Sequence, residues 1–489
     1  MADPLGARGV NQPLSGNPGS TQRTILAALV VLAAAIVVPL AALGQRQILM
    51  LLLVPAGVVG AVILLRRPGV GFPLLVVASL LVPFAISTGT QTRINASLML
   101  VGLLIVLWIL DMLAGKREVR LEDLPGVRPL LAFMVISLLS MGFGQIQWLP
   151  TRSASLFAQL GGLAILLLSP GVFLLAAHRL PDLKTLAWTV WIYIALAGVF
   201  VACLLIPSLQ AFAFRTYQRA VMDSMFWTWL VTLSVSQSLL NRQLARKWRL
   251  LLAVIGLSAF YYTFVIRQGW TSGWLPSLVS LVVILGATRP KWLVGLGLLA
   301  GIVVLVQPHL LRDLFLGGDN EYSLTTRLEA WRILLEITRL NPILGLGPAN
   351  YYGYTPLYDI LGYSVSFNSH NNFIDIVAQT GLAGLACFLW FAAGLARLIL
   401  RLRHSVPEGF PRAYVVGALG GLAATLTAMM FGDWVLPFVY NVGLDGFRAS
   451  GMAWMFLGGV LAVERLTRQP KTLPETAAPG AGKPGAPRR

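Results

Sequence analysis

Charged residues are scarce in this chain. Of its 489 residues only 11% are Asp, Glu, Lys or Arg, whereas 57% are apolar. A soluble domain carries about 25% charged residues, so the composition excludes an ordinary soluble domain and indicates an integral membrane protein. The uncharged runs 24–43 and 48–65 support this, because each is long enough to cross a hydrocarbon core of ~30 Å as a helix.

Cysteine and histidine are also rare. The two cysteines, Cys203 and Cys387, both lie inside apolar runs, which is typical of small core residues and argues against a disulfide. The chain has four histidines and neither a CxxC nor an HExxH motif, so no bound metal or other cofactor is implied.

About fourteen hydrophobic segments are long enough to span a bilayer. Because the backbone must satisfy its own hydrogen bonds in lipid, the sequence predicts an all-α integral membrane protein. The segments lie near 24–43, 48–65, 70–87, 97–114, 129–144, 155–177, 185–206, 224–240, 250–266, 271–288, 292–307, 372–396, 413–431 and 447–463.

The basic residues predict the orientation. The net charge of +18 suggests nucleic acid at first sight, but most of the Lys and Arg fall in alternate loops, and such loops are cytoplasmic. Both termini then lie in the cytoplasm. The predicted parts are a disordered N-terminus (1–20), an N-terminal transmembrane bundle (24–307), an external loop (308–371), the C-terminal spans (372–463) and a disordered tail (464–489).

The external loop is unusually long, and such loops are commonly functional. Within it, apolar residues recur at helical spacing between Thr325 and Asn341. Thr325 or Thr326 can cap this amphipathic helix, and Asn341-Pro342 ends it. The helix is either a purely structural interfacial helix or one that directs Arg327 of its first turn to the external mouth.

His370 stands directly before the span that follows this loop. Ser369 or Asn371 can cap that helix, and the helix dipole at this end disfavours imidazolium. A neutral histidine beside an anion-attracting helix end is a candidate general base or phosphate partner. The alternative is a hydrogen-bonded structural histidine.

Three arginines lie at the external boundary of the predicted bundle. Arg267 occupies a tight turn between two spans, while Arg215 and Arg219 share a short loop with Asp223. Charges at this depth that face the bundle are functional candidates, although arginines also snorkel to lipid headgroups. If the short loop is helical, one of its two arginines can pair with Asp223 and the other with a ligand.

Two motifs and an upstream turn resemble the O-antigen ligase and O-antigen polymerase family over about residues 250–390. The first is matched by Arg327, Trp331, Asn341, Pro342, Gly345, Gly347 and Tyr351 or Tyr352. The second is matched by His370, Asn371, Phe373, Gly381 and Gly384. The turn "IRQG" at 266–269 is similar to the family's "SRG", with Ile266 in place of serine. Gln379 stands where an acidic residue often precedes the glycine.

The resemblance implies a GT-C-like bacterial inner-membrane enzyme that transfers a glycan from undecaprenyl diphosphate to a saccharide or lipid-core acceptor on the external side. The transfer would invert the anomeric centre without a metal. The implied catalytic residues are His370, Arg267 and Arg219. The implied substrate-binding residues are Arg215, Arg327, Asn371, Tyr351 and Tyr352, and the reserve bases are Asp319, Glu321 and Asp359.

The main rival function is a multi-span transporter or flippase for lipid-linked glycans. Transporters place ionisable groups near the bilayer midplane, whereas Asp111, Asp375 and Asp433 fall near the ends of the predicted spans. The long external loop also has no obvious role in transport. The sequence therefore favours the enzyme, but no residue pattern in it identifies the acceptor.

Overall fold

The computed structural model describes residues 60–87, 93–116, 121–122, 124–307 and 319–468. The predicted span 24–43, most of the span 48–65 and both predicted disordered termini fall outside these ranges, apart from 464–468, which is described. The side chains of Asp319 and Glu321 also lie outside the described part.

These residues are mostly helical. In chain order the helices are α1 (Gly60–Arg66), α2 (Gly71–Leu80), α3 (Ala96–Lys116), α4 (Val127–Phe143), α5 (Leu156–Arg179), α6 (Leu183–Leu205), α7 (Pro207–Thr216), α8 (Ser224–Leu240), α9 (Arg246–Tyr261), α10 (Thr271–Thr288), α11 (Pro290–Val306), α12 (Asp319–Thr338), α13 (Tyr351–Tyr354), α14 (Asn372–Ser405), α15 (Phe410–Met430) and α16 (Phe447–Thr467). Strands β1 (Ala85–Ser87) and β2 (Arg93–Asn95) form an antiparallel pair. Short 3₁₀ turns occupy Pro68–Val70, Arg219–Met222, Thr355–Leu357 and Leu444–Gly446, and a π-helical turn occupies Tyr262–Ile266.

The predicted class, an all-α membrane protein, agrees with this structure. Eight helices in the described ranges are long and apolar enough to cross a membrane, or nine if the bent segment from Gly60 to Leu80 counts as one span. The apolar helix α4 and the apolar part of α11 are shorter. The total of fourteen spans and the GT-C-like architecture stay predictions.

The predicted span 70–87 differs from the structure. Helix α2 ends at Leu80, and residues 85–87 form β1 instead of continuing the helix. The buried guanidinium of Arg448 donates hydrogen bonds of 3.0 Å to the carbonyls of Ala78 and Val82. Those carbonyls are therefore satisfied without a further helical turn.

Helix α16 forms the centre of the bundle and is buried from Phe447 to Glu464. It packs closely on α5, while α15 packs on both α8 and α10. Small residues permit these approaches: a Cβ on Gly420 of α15 would lie 2.7 Å from the Ser280 hydroxyl of α10. The outer helices α9 and α11 instead expose apolar side chains such as Leu257 and Leu298, as a lipid-facing surface does.

One end of the bundle carries the loops that contain the two motifs and is called the site end here, defined by the starts of α8, α10, α14 and α16. The Ser224 hydroxyl at the start of α8 donates to the Ser272 carbonyl at the start of α10 at 2.5 Å. The Asn372 amide oxygen, at the start of α14, accepts hydrogen bonds from the backbone N–H groups of Val435 and Leu436. The first bond joins the starts of α8 and α10, and the others attach the start of α14 to the loop that follows α15.

Candidate functional site

Helix α14 is broken at Gly381, where the backbone is far from helical (φ 69°, ψ −172°). The loop that follows α12 supplies hydrogen bonds at this break. The backbone N–H groups of Leu346 and Gly347 donate to the carbonyls of Ala378 and Gln379 at 2.9 and 3.1 Å. The break therefore costs little hydrogen bonding, and it docks the loop against the first part of α14.

The glycines of both motifs are required by this docking. Gly345, Gly347 and Gly381 all have positive φ, which side chains other than glycine rarely adopt. A Cβ on Gly345 would also lie 2.6 Å from the backbone of Gln379 and Gly381. These motif residues thus build the support of the site and are not its reactive groups.

Gln379 takes part in the same support. Its side-chain oxygen accepts the Ala349 N–H at 3.0 Å, and its side-chain nitrogen donates to the Asp375 carbonyl at 3.3 Å. An acidic side chain could accept the first bond but could not donate the second. The amide therefore suits this position in this chain.

The predicted amphipathic helix is present as α12, with two differences in detail. It begins at Asp319, so Thr325 and Thr326 lie inside the helix and do not cap it. Its apolar face is buried through Ile333 and Ile337, and α12 packs on α14. The helix ends at Thr338, close to the predicted stop.

His370 is held in a left-handed backbone conformation by its neighbours. Its φ is 47°, which is uncommon for a residue other than glycine and is frequent at functional sites. On one side, the Trp331 indole of α12 donates to the Ser369 carbonyl at 2.7 Å. On the other side, the Asn371 amide oxygen accepts the Phe373 N–H at 2.9 Å and caps α14.

The cap predicted at Ser369 or Asn371 is therefore made by Asn371. Its buried side chain is occupied by the first turn of α14, so it positions His370 from within the chain. The Ser369 hydroxyl accepts the Asn371 backbone N–H at 2.9 Å and lies 2.8 Å from the Asp375 carboxylate. Both flanks of His370 are thus fixed.

The His370 imidazole, which is partly buried, faces a polar pair that follows α15. Its Nδ1 lies 3.4 Å from the side-chain nitrogen of Asn441, and this nitrogen donates to Asp433 Oδ1 at 2.7 Å. The other carboxylate oxygen of buried Asp433 accepts the Phe438 N–H at 3.0 Å. His370, Asn441 and Asp433 therefore form one hydrogen-bonded chain.

Burial and nearby charges determine the ionisation of this group. Burial lowers the pKa of His370; among its neighbours, Asp433 raises this pKa and Arg327 lowers it. Burial also raises the pKa of Asp433, against the opposing effects of the Phe438 N–H, His370 and Asn441. The imidazole is consequently neutral over a wider pH range than an exposed histidine.

Two further carboxylates are buried close to Asp433. Burial, reinforced by Asp433, raises the pKa of Asp223 well above its ordinary value. Asp223 Oδ1 accepts the Met225 N–H at 2.7 Å and caps α8. The suggested ion pair between Asp223 and Arg215 or Arg219 is absent from the described residues. Asp375 accepts a 2.6 Å hydrogen bond from the Tyr351 hydroxyl.

A cavity of about 260 Å³ opens beside Asn441. It is lined by Arg93, Arg219, Val439, Tyr440, Asn441, Val442, Gly443, Leu444 and Asp445. Arg219, predicted to be catalytic, thus shares a cavity with the residue that contacts His370. Arg215 does not line it and lies exposed at the end of α7. Two arginines in one small cavity favour an anionic ligand.

Arg93 reaches this cavity through strand β2. The side-chain nitrogen of Asn95, two residues along, donates to the Leu444 carbonyl at 2.7 Å. This bond holds β2 against the 3₁₀ turn Leu444–Gly446, which borders the cavity.

Arg267 directly follows the π-helical turn Tyr262–Ile266, and such turns are frequent at functional sites. Its guanidinium carbon lies 5.6 Å from the ring centre of Trp270. Trp270 in turn packs edge-on against Trp434, with 6.2 Å between ring centres. Trp434 follows Asp433 in the chain, so these ring contacts connect Arg267 to the Asp433 loop. The Arg267 side chain is exposed at the site end.

Arg327 and the two tyrosines occupy different positions. Arg327 is half-buried on α12, and burial lowers its pKa. The Tyr351 ring is fully buried and stacked on Phe438 with 4.8 Å between ring centres, so it supports Asp375. Tyr352 is only half-buried and stacks at 4.4 Å on Tyr440, which lines the cavity.

The sequence patterns do not single out Arg93 or Asn441 as site residues. They mark Asp433 only as an acidic residue near the end of a predicted span. The available signal was the polar composition of "GDW" and "YNVGLDG" between two spans, where every polar side chain must find a partner.

Residues 250–389 match the model of a family described as O-antigen ligase. The match confirms the resemblance that the motifs indicate, and it contains Arg267, Arg327 and His370. Arg219, Asp433 and Asn441 lie outside it. No curated protein matches the chain.

Proposed function

Because residues 250–389 match the O-antigen ligase family, we propose that this protein is a membrane glycosyltransferase. It transfers a glycan from undecaprenyl diphosphate to a saccharide or lipid-core acceptor and inverts the anomeric centre. The observation that carries the proposal is the cavity that Arg219 and Arg93 share with Asn441, the side chain in contact with His370.

The arginines of the site end suit the diphosphate of such a donor. A guanidinium presents a planar set of N–H donors that matches phosphate oxygens, and it stays charged at every working pH. Arg93 and Arg219 are exposed in the cavity, and Arg327 acts electrostatically on His370 from α12. Arg267 adds a fourth positive charge at this end. These groups supply the charge that a metal ion would otherwise provide.

Asn441 determines which nitrogen of His370 carries the proton. Both oxygens of Asp433 accept hydrogen bonds, so the Asn441 group that faces Asp433 is its N–H₂ donor. The same nitrogen faces His370 Nδ1. Nδ1 is therefore the acceptor, and the proton of the neutral ring resides on Nε2.

This tautomer makes His370 a hydrogen-bond donor to the leaving diphosphate. As the acceptor oxygen bonds to the anomeric carbon, the bond from that carbon to the phosphate oxygen breaks. The diphosphate leaves with the electron pair, and the proton of the acceptor hydroxyl passes to water. His370 Nε2–H and the guanidinium groups stabilise the charge that develops on the diphosphate. Deprotonation of the acceptor by His370 is the alternative role that experiments must exclude.

The distribution of basic residues supports an external position for the site end. The opposite end of the bundle, where α5, α14 and α16 finish, carries Arg179, Arg401, Arg403, Arg465 and Arg468. A concentration of arginine of this kind is typical of the cytoplasmic face. The donor lipid would accordingly enter from the outer leaflet of the inner membrane.

Reconstitution tests the function directly. The purified protein is placed in liposomes with a defined undecaprenyl-diphosphate glycan and a panel of saccharide and lipid-core acceptors, and the products are identified by mass spectrometry. We expect a new glycosidic linkage of inverted configuration and release of undecaprenyl diphosphate. Movement of intact donor between leaflets without a covalent product would instead indicate the flippase.

A further inference from the structure

Among the described residues that line the cavity beside Asn441, Asp445 is the acidic one. It shares the cavity with Arg93 and Arg219, and its side chain is 24% exposed. The proposed glycan transfer uses the arginines and His370 to stabilise the leaving diphosphate. It leaves the Asp445 carboxylate without a function.

The position of Asp445 is fixed by the 3₁₀ turn Leu444–Gly446, which directly precedes α16. The side-chain nitrogen of Asn95 donates to the Leu444 carbonyl in this turn at 2.7 Å. Nε of the buried Arg448 lies 3.7 Å from Asp445 Oδ1. The backbone and the carboxylate of Asp445 are thus both held at the wall of the cavity.

The two arginines of the cavity do not neutralise this carboxylate. Within the described ranges, neither Arg93 nor Arg219 forms an ion pair, and the ion-pair partner of Asp445 is Arg448. The cavity of about 260 Å³ is about 8 Å across if it is compact, and the two reacting groups of inverting glycosidases are about 6.5–9.5 Å apart. It therefore has room for an anomeric carbon with the leaving group on one face and the attacking hydroxyl on the other.

The other acidic groups buried at the site end are closed to an acceptor. Asp223, Asp375 and Asp433 are at most 3% exposed, and each accepts a hydrogen bond from the protein. The acidic residues of α12 and of the loop after it do not line the cavity. His370 presents Nε2–H, which has no lone pair to receive a proton. Of the carboxylates in the described ranges, Asp445 is therefore the one that a hydroxyl in this cavity can reach.

We propose that Asp445 is a catalytic residue that binds the acceptor hydroxyl and accepts its proton. This inference rests on the proposed function. As the hydroxyl oxygen bonds to the anomeric carbon, its proton moves to the Asp445 carboxylate and then passes to water. The bond from the anomeric carbon to the phosphate oxygen breaks, and the diphosphate leaves with the electron pair on the side of Arg93 and Arg219.

The test compares three variants in liposomes with the donor and a saccharide acceptor. Asp445→Asn removes the base and one negative charge, while Asp445→Glu keeps the charge beside Arg448 but displaces the carboxylate. The matched control is Glu336→Gln, which removes an exposed carboxylate of α12 that does not line the cavity. The measurements are kcat, KM for each substrate, the affinity for undecaprenyl diphosphate, and Tm.

We expect Asp445→Asn to lower kcat by about 10²-fold or more, since a positioned base typically contributes about 10²–10⁴-fold. Asp445→Glu should lower kcat by about tenfold or more at an unchanged Tm, and Glu336→Gln should behave as wild type. Because Asp445→Asn removes a negative charge from the cavity, its affinity for undecaprenyl diphosphate should be equal to that of wild type or higher.

A role of Asp445 only as the counter-ion of Arg448 predicts a different result. Asp445→Asn would then lose Tm and diphosphate affinity together, and Asp445→Glu would restore both along with kcat. That pattern, or a kcat of wild type in Asp445→Asn, would overturn the inference. If Asp445→Asn does not insert, Asp445→Glu decides, and its full turnover would overturn the inference. Wild-type protein that transfers no glycan would contradict the proposed function itself.

Discussion

The substitution Asn441→Asp tests the hydrogen-bonded chain behind His370. It preserves the shape of the side chain but replaces a donor with a carboxylate, 2.7 Å from Asp433 Oδ1. Two negative charges at this distance repel each other by about 6 kcal/mol at an effective dielectric constant of 20. The pair must therefore take up a proton or move apart, and an oxygen acceptor now faces His370 Nδ1.

This change should reverse the tautomer of His370. A carboxylate oxygen beside Nδ1 favours a proton on Nδ1, so Nε2 loses the hydrogen that binds the diphosphate. Removal of one such donor typically lowers turnover by about 10²–10³-fold. We expect kcat to fall by this amount in reconstituted protein, while insertion and donor-lipid extraction stay normal. Val442→Ala, which alters an apolar residue of the same cavity, is the control and should stay within about twofold of wild type.

The pH profile distinguishes a donor from a base. Burial lowers the pKa of His370 below 6.5, its ordinary value. If Nε2–H is a donor, both the neutral and the protonated ring carry it, so wild-type kcat should not fall as pH decreases through this pKa. A general base would lose activity in that range. A decline of kcat at low pH that moves to higher pH in Asn441→Asp, where the added carboxylate raises the pKa of His370, would refute the donor role. An Asn441→Asp variant that keeps the kcat of wild type would also refute it.

Four further outcomes are expected. Arg219→Ala should lower kcat/KM for the donor by about 10²-fold, whereas Arg215→Ala, outside the cavity, should have little effect; equal losses would contradict the assignment of the cavity. Arg267→Ala should strongly reduce turnover of a normally inserted protein, and full activity would exclude Arg267 from binding the diphosphate. EDTA should not inhibit transfer, since arginine supplies the charge; restoration of activity by Mg²⁺ after chelation would argue against this. A His370→Cys variant should react in whole cells with a membrane-impermeant maleimide, and protection until lysis would reverse the proposed orientation.

The sequence was sufficient to predict most helices of the described part. Span 271–288 matches α10 and span 224–240 matches α8, because an uncharged run of this length has few alternatives to a helix in lipid. The segment 70–87 was harder to predict. Its hydropathy is continuous, but the buried Arg448 takes the carbonyls at the end of α2. That interaction joins residues 370 positions apart and leaves no local signal.

The candidate site was only partly predictable for a similar reason. His370 and Arg219 could be predicted as site residues because an ionisable residue at the end of a membrane span is a functional candidate. Their connection through Asn441 depends on the loop after α15, far from both in the sequence. The motif glycines were recognised as a pattern, but their role became clear only from the docking of Gly345 and Gly347 at the break in α14.

The most direct test of the central claim is a structure of the protein with a non-transferable undecaprenyl-diphosphate glycan. We expect the diphosphate at the cavity of Arg93 and Arg219, with His370 Nε2 within hydrogen-bond distance of a phosphate oxygen and Nδ1 still facing Asn441. A diphosphate bound away from this cavity, or Nε2 directed at the acceptor hydroxyl instead, would contradict it.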